Sequence, residues 1–187
     1  MRYRRNDIVE HALVVLDAYG LADLSMRRLA GELGLQPSAL YHHVANKQAL
    51  LALVADEILR RGARPRPEGP WADQVAAIAR ELRDAMLAYR DGAELVATVH
   101  AFGLGAAAPA VDLAAAYDDA GLPAELVPVA VSTVLHFVFG DAIQEQTHLQ
   151  ASSVGAIADQ PREGSDFELG LALILDGIRV QAGETVR

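Results

Sequence analysis

The 187-residue chain has no cysteine, which excludes a disulfide framework and a thiolate metal site. Aromatic residues are scarce, at 5% against 52% hydrophobic residues overall, so the core must be built mainly from Ala, Leu and Val. That composition favours helices over sheets. Long uninterrupted apolar runs are lacking as well: charge breaks the longest of them, so no membrane span is expected. The N-terminus MRYRRND is basic, but Glu10, His11 and Asp17 follow it, which does not suit a signal peptide. A soluble cytoplasmic protein is expected. There is no Gly-rich phosphate loop, no H-E-x-x-H and no nucleophile–base constellation, so neither an enzyme nor a cofactor is expected.

What the chain does have is the stretch LSMRRLAGELGLQPSALYHHVANK, residues 24–47. Ser25 is a good N-cap, and Met26, Leu29, Ala30 and Leu33 follow at helical spacing. Gly34 stops that short helix, since it takes the left-handed conformation a helix exit often requires. Gln36 and Pro37 start a second helix, with Pro37 in the first turn, where its missing N–H costs little. Two short helices joined by a tight glycine turn read as a helix-turn-helix, whose second helix lies in the DNA major groove. Ser38, Tyr41, His42 and His43 offer hydroxyls and imidazoles on its exposed face, while Leu40 and Val44 form its buried side. No acid lies on that face, and Arg27, Arg28 and Lys47 flank it. The competing reading is a merely structural helix pair in a small-molecule carrier that never meets nucleic acid.

Net charge is −9, which at first opposes DNA binding. Its distribution answers the objection. Residues 1–64 hold nine Lys/Arg and seven acids, or +2; the remainder holds seven and eighteen, or −11. Such asymmetry suits one part that meets phosphate and another that does not.

Residues 6–62 resemble the DNA-binding domain of the TetR family of bacterial regulators, through NDIVEHALVVLDAYGLADLS, RRLAGELGLQPSALYHHVANK and ALLALVADEIL. The LYHHVANKQALL segment is the most specific part of this likeness. YRDGAELV and HFVFGDAIQEQTH are similar, more weakly, to the tetracycline-repressor branch. The resemblance implies backbone contacts from Tyr41 and Lys47, and a phosphate or guanine contact from Arg27. Ser25, Gln36, Pro37, Ser38, His42 and His43 complete the DNA-binding candidates. Base readout is assigned to Gln36, Ser38 and His42. Arg2, Arg4 and Arg5 form an arm that either touches DNA or stays solvated. Arg28 reads as a surface residue within reach of Glu32 one turn on.

The expected fold is all-α with about nine helices. A DNA-binding domain spans 1–62 and a ligand-binding and dimerisation domain spans 63–187, joined at the proline-rich ARPRPEGP (63–70). Asn6 and Asn46 are expected N-caps of the first and fourth helices. Tyr19 is expected on the buried face of the first. Further helices are predicted from Trp71 to about Arg90, Ala93 to His100, Pro109 to Ala120, Pro123 to His148, and from a Ser165 cap to Gln181, with a loop at 151–164. LVPVAVSTVLHFVFG and FELGLALILDGI are apolar over much of their circumference, which predicts a homodimer paired through a four-helix bundle. A two-fold dimer fits a palindromic operator.

For the effector, the resemblance matters by its departures. Where the tetracycline-repressor branch has a magnesium-ligating histidine, this chain has Val96. The metal-water glutamate falls at Gln144, and two polar drug contacts become Ile78 and Leu113. A magnesium chelate gains little from that lining, so a largely apolar, ring-shaped effector is expected in its place. Leu82, Met86, His100, Phe102, Tyr117, Leu135 and Phe139 complete the ligand-binding candidates, in a mostly hydrophobic pocket with a few orienting polar groups. His136 and His148 are twelve residues apart on one predicted helix and cannot share a metal there. With His100 they read as ordinary histidines, and no metal site is expected. Asp141 and Glu145, four apart, read as a solvated face or a contact across the dimer.

Overall fold

In the computed structural model, residues 3–118, 120–157 and 166–184 are described. Among them are nine helices and no strand: α1 (Arg5–Tyr19), α2 (Met26–Glu32), α3 (Pro37–Tyr41), α4 (Lys47–Gly62), α5 (Trp71–Leu87), α6 (Gly92–Ala101), α7 (Ala108–Asp118), α8 (Val127–Ser153) and α9 (Phe167–Gln181). They sort into two compact units. One holds Met1–Ala63 with Asp84–Ala107, the other Arg64–Arg83 with Ala108–Arg187. The first break adjoins the 62/63 boundary read from the linear sequence. The grouping of α6 with the helix-turn-helix comes from packing of α6 on α4, between segments far apart in the chain.

The first unit is built on α1 and α4. Ile8, Ala12, Leu13 and Leu16 of α1 are buried, as are Leu50, Val54, Ala55 and Ile58 of α4, and the two helices pack together. α1 begins at Arg5 and not behind an Asn6 cap, because the Asp7 carboxylate accepts the Arg4 N–H at 2.7 Å and closes the first turn. Tyr19, expected in the core, is 44% exposed; the Arg28 guanidinium lies 3.6 Å from its ring centroid. Arg28 pairs with Asp23 at 3.3 Å, not with Glu32. Asn46 caps α4 as expected, accepting the Ala49 N–H at 2.8 Å. Near the other end of α4, Arg61 bonds to Glu57, to Glu10 of α1 and to the Tyr89 hydroxyl.

α5 stops at Leu87, short of Arg90. Asp91 takes a left-handed φ of 56° and its carboxylate accepts the Leu21 N–H at 2.7 Å, so the turn into α6 is tied to the loop after α1. α6 then runs one residue further at each end than its periodicity suggests.

In the second unit the proline-rich linker is strapped down. Glu81 of α5 accepts the Arg64 N–H at 2.8 Å and a two-pronged contact from Arg66 at 2.9 and 3.1 Å; Arg66 also reaches Asp112 of α7. Trp71 opens α5 with its indole N–H on Glu184 (2.8 Å) and its ring against Tyr117, centroids 5.8 Å apart. α7 begins one residue before Pro109 and ends at Asp118. α8 starts at Val127, because Pro128 can occupy only the first turn, and continues five residues past His148. Arg83 pairs with Asp141 at 2.6 Å, both side chains largely buried, so this acid is partnered within its own chain and not solvated. α9 lies close on α8: a Cβ at Gly170 would sit 2.7 Å from the Phe137 ring, which stacks on Phe167 at 5.3 Å. The expected Ser165 cap lies outside the described residues, as does Arg2 of the N-terminal arm. Among the described residues only α8 is long and apolar enough to cross a membrane, and 39% of that stretch is buried.

The α4 acid provides a measurable handle on stability. Hydrogen bonds from Arg60, then Arg61, hold the Glu57 carboxyl down at about 2 against the opposing effect of burial. A depressed carboxyl stabilises the fold above its unfolded value and loses that contribution as pH falls towards 2. Because the Arg60 side chain is 69% exposed, solvent screening leaves about 1 kcal/mol. Glu57→Gln should lower the melting temperature by a few degrees at pH 7. It should also flatten the loss of stability between pH 4.5 and 2 in acid-denaturation curves.

Candidate nucleic-acid interface and effector-contact residues

The reading elements are short, so their positions are set by caps and by single buried side chains. The Ser25 hydroxyl accepts the Arg28 N–H at 3.2 Å, closing the first turn of α2. Ser25 is therefore engaged in capping, half-buried, while Arg27 beside it is exposed. Met26, Leu29, Ala30 and Leu33 are buried. The turn passes through Gly34 at φ 65°, a conformation that disfavours any side chain. Gln36 holds the N-cap position of α3 with an extended backbone, and Pro37 fills N1.

α3 has five residues, and Leu40 is its only fully buried one. With Val44 just beyond it, Leu40 fixes which way the helix faces. Gln36, Pro37, Ser38, Tyr41 and His42 are then exposed, His43 is half-buried, and Lys47 is exposed at the first position of α4. Tyr41 is 50% exposed although it is aromatic, whereas the rings of Trp71 and Tyr117 are buried. The eight candidates other than the capping Ser25 thus lie on the two short helices, at the α3 N-cap, in the turn after α3 and at the start of α4. No acid stands among residues 33–55. Such a face can bind phosphate through hydroxyl, imidazole and ammonium groups and can read base edges through Gln36, Ser38 and His42.

α4 is held partway along by the loop after α6. The Asp56 carboxylate accepts the Ala106 N–H at 2.7 Å, and the Ala106 carbonyl lies 3.1 Å from His100 Nδ1. Ala106 takes a left-handed φ of 55° to make both contacts, and Gly105 runs so close that an added Cβ would sit 3.1 Å from Asp56 Oδ1. One residue, Ala106, therefore links the end of α6 to the middle of α4, the helix whose start carries Lys47. Residue periodicity gave no hint of this clasp, since Asp56 reads as one more exposed acid on α4.

The effector candidates fall in both units. In the first, Met86 and Val96 are buried, His100 is half-buried, and Phe102 is 62% exposed at the end of α6. In the second, Ile78, Leu82, Leu113, Tyr117, Leu135 and Phe139 are all buried, a predominantly aliphatic set from α5, α7 and α8. Gln144, at the position of the branch's metal-water glutamate, is exposed on α8. His136 is exposed and His148 half-buried on the same helix.

Comparison with known proteins agrees with this layout. The model for bacterial regulatory proteins of the tetR family matches residues 8–54, and that for the tetracycline repressor-like C-terminal domain matches residues 64–163. The class A tetracycline repressor from transposon 1721 of Escherichia coli is 34% identical over 92% of this chain and 89% of its own length. Among solved structures, BioQ of Mycobacterium smegmatis superposes with a TM-score of 0.85 at 39% identity, covering 96% of this chain and 99% of that one. BioQ crystallised with its double-stranded DNA operator matches at a TM-score of 0.84 and 38% identity, covering 95% and 99%. The chain belongs to the TetR family of bacterial regulatory proteins and is an all-helical, helix-turn-helix transcriptional regulator.

Proposed function

We propose that this protein is a cytoplasmic repressor that holds a palindromic operator as a homodimer and lets it go when a largely apolar small molecule binds its C-terminal domain. The observation that carries the reading is the acid-free exposed face of α3 with Lys47 beside it. The similar BioQ, seen with its own operator, supports it. Tyr41 and Lys47 anchor phosphates; Arg27, Gln36, Ser38, His42 and His43 supply the remaining contacts. The aliphatic set from Ile78 to Phe139 lines the effector site, and the loss of the polar and metal-binding positions separates its ligand from a magnesium chelate.

Support for the dimer comes from apolar surface on the second unit. Val129 and Leu149 on α8, with Leu169, Leu173 and Val180 on α9, are each more than half exposed. A groove of about 260 Å³ runs between these helices, lined by Leu126, Val129, Thr133, Leu173 and Ile174 among others. Two copies meeting through α8 and α9 cover that surface and present two reading heads about one helical turn apart. A ligand then releases DNA only by binding one spacing of the heads better than the other.

In a mobility-shift assay with the DNA upstream of its own gene, the protein should retard the fragment at low salt and lose affinity as salt rises. Tyr41→Ala and Lys47→Ala should each weaken binding about tenfold without changing the melting temperature; unchanged retardation by both would defeat the operator reading. Leu173→Glu should convert a dimer to a monomer in analytical ultracentrifugation. The α4 clasp makes its own prediction. Asp56→Ala removes one hydrogen bond, worth about 0.5–1.5 kcal/mol, and should cut operator affinity roughly two- to tenfold. Asp56→Asn, which keeps an acceptor oxygen, should stay within about twofold of the wild type.

A further inference from the structure

Tyr117 is 1% exposed on α7, and its hydroxyl has no hydrogen-bond partner. Among the described residues only one other buried side-chain atom shares that condition, Arg28 Nε, on a guanidinium that already holds Asp23 and covers Tyr19. A buried donor left unmatched costs about 1–3 kcal/mol, and folded proteins rarely leave one. The neighbouring ring makes the contrast sharper. Trp71 packs against Tyr117, and its indole N–H is satisfied by Glu184. The fold therefore matches one polar group of this aromatic pair and leaves the other open. Phenylalanine would fill the same ring space at no such cost, so the hydroxyl does nothing for the chain's own packing.

We propose that the Tyr117 hydroxyl is the hydrogen-bond donor that orients the effector, and that the effector is a neutral, largely apolar molecule carrying a carbonyl oxygen. This rests on the effector-responsive reading above and narrows it to a ligand chemistry. Burial pushes the phenol's ionisation upward, so the group stays a neutral O–H, and its unmatched hydrogen calls for an acceptor. A carbonyl oxygen meets that demand without bringing an anion into a buried setting, where an unpaired charge costs far more than a neutral dipole. Leu113, one turn back on the same face of α7, and Ala116 are buried beside it and suit the apolar body of such a molecule. One polar contact within an aliphatic lining fixes orientation, and the lining supplies most of the affinity.

The test uses the full-length protein and Tyr117→Phe with matched probe pairs that differ in one carbonyl: fluorenone with fluorene, 2-acetylnaphthalene with 2-ethylnaphthalene, and 2-undecanone with undecane. Binding is read by thermal shift and by titration. At least one ketone should bind the wild type about 5- to 10-fold tighter than its hydrocarbon, as expected for one buried hydrogen bond. In Tyr117→Phe that preference should fall below about twofold, with hydrocarbon binding unchanged. The ligand-free variant should melt at the same temperature as the wild type or higher. A clearly lower melting point would mean that the hydroxyl is matched within the fold, for example by a buried water, and would overturn the proposal. So would a ketone preference that survives in the variant, or no preference in any pair. Operator retardation by both ligand-free proteins separates the two levels of inference. If the wild type fails to retard DNA, the operator-release reading is wrong; if it retards DNA but shows no ketone preference, only the ligand assignment is.

Discussion

A helix of five residues cannot hold its own shape in water, because nucleation is costly and so few backbone bonds return the cost. α3 is such a helix, and the rest of the first unit exists in large part to hold it. Leu40 is its single buried anchor, Pro37 presets its first turn, and Gly34 supplies the left-handed exit that lets α2 and α3 meet. Rotation of α3 by one residue would bury Tyr41 and expose Leu40, a swap opposed by roughly 1.5–3 kcal/mol for the leucine alone. The reading face is thus specified by burial on its opposite side. The exposed polar residues of α3 do not hold the helix in place, which leaves them available for contacts outside the fold.

That division explains what could be read from sequence. The helix-turn-helix was legible because its signals are local: a serine cap, apolar spacing, a glycine exit and a proline start all lie within 24 residues. The Ser25 and Asn46 caps and the exposure of Tyr41 follow from the same local rules. The all-helical class followed from composition, and the two over-apolar helices from their lack of a polar face. Helix ends were the weaker part. α1 begins early because Asp7 reaches back to Arg4, and α8 begins late because Pro128 must lie in a first turn. Each turns on a single side chain competing with the general pattern.

What stayed hidden are contacts between distant segments. Asp91 reads as a helix breaker, yet its carboxylate ties the α6 turn to Leu21, 70 residues away. Arg66 reads as part of a free linker, yet it clamps Glu81 and Asp112. Arg28 has Glu32 within helical reach and chooses Asp23 and the Tyr19 ring. No periodicity encodes such choices, since a charged side chain on a helix surface has several partners of similar energy and tertiary packing decides among them. The same reasoning applies to Asp56 and Ala106: a carboxylate reads as a solvated face until a loop 50 residues later brings an N–H to it.

Charge then assigns different tasks to two stretches of the chain. Residues 1–64, which include the helix-turn-helix, are nearly balanced at +2, and their acids are on α1, at Asp23 before α2, at Glu32 of α2 and at Asp56 and Glu57 of α4, with none on α3. Residues 65–187 carry the remaining −11, which opposes non-specific adhesion to DNA. A weakly basic head binds DNA loosely wherever it lands, so in the proposed dimer discrimination comes from base contacts and from two heads acting together. The proposed pairing through α8 and α9 would therefore contribute more than covered apolar surface. On that proposal, one head of such modest charge would hold an operator poorly, and only the joint attachment of two would make binding sensitive to their spacing. A mechanism that works by altering that spacing needs weak individual heads; a strongly basic head would stay bound at either spacing, and the effector would have nothing to switch.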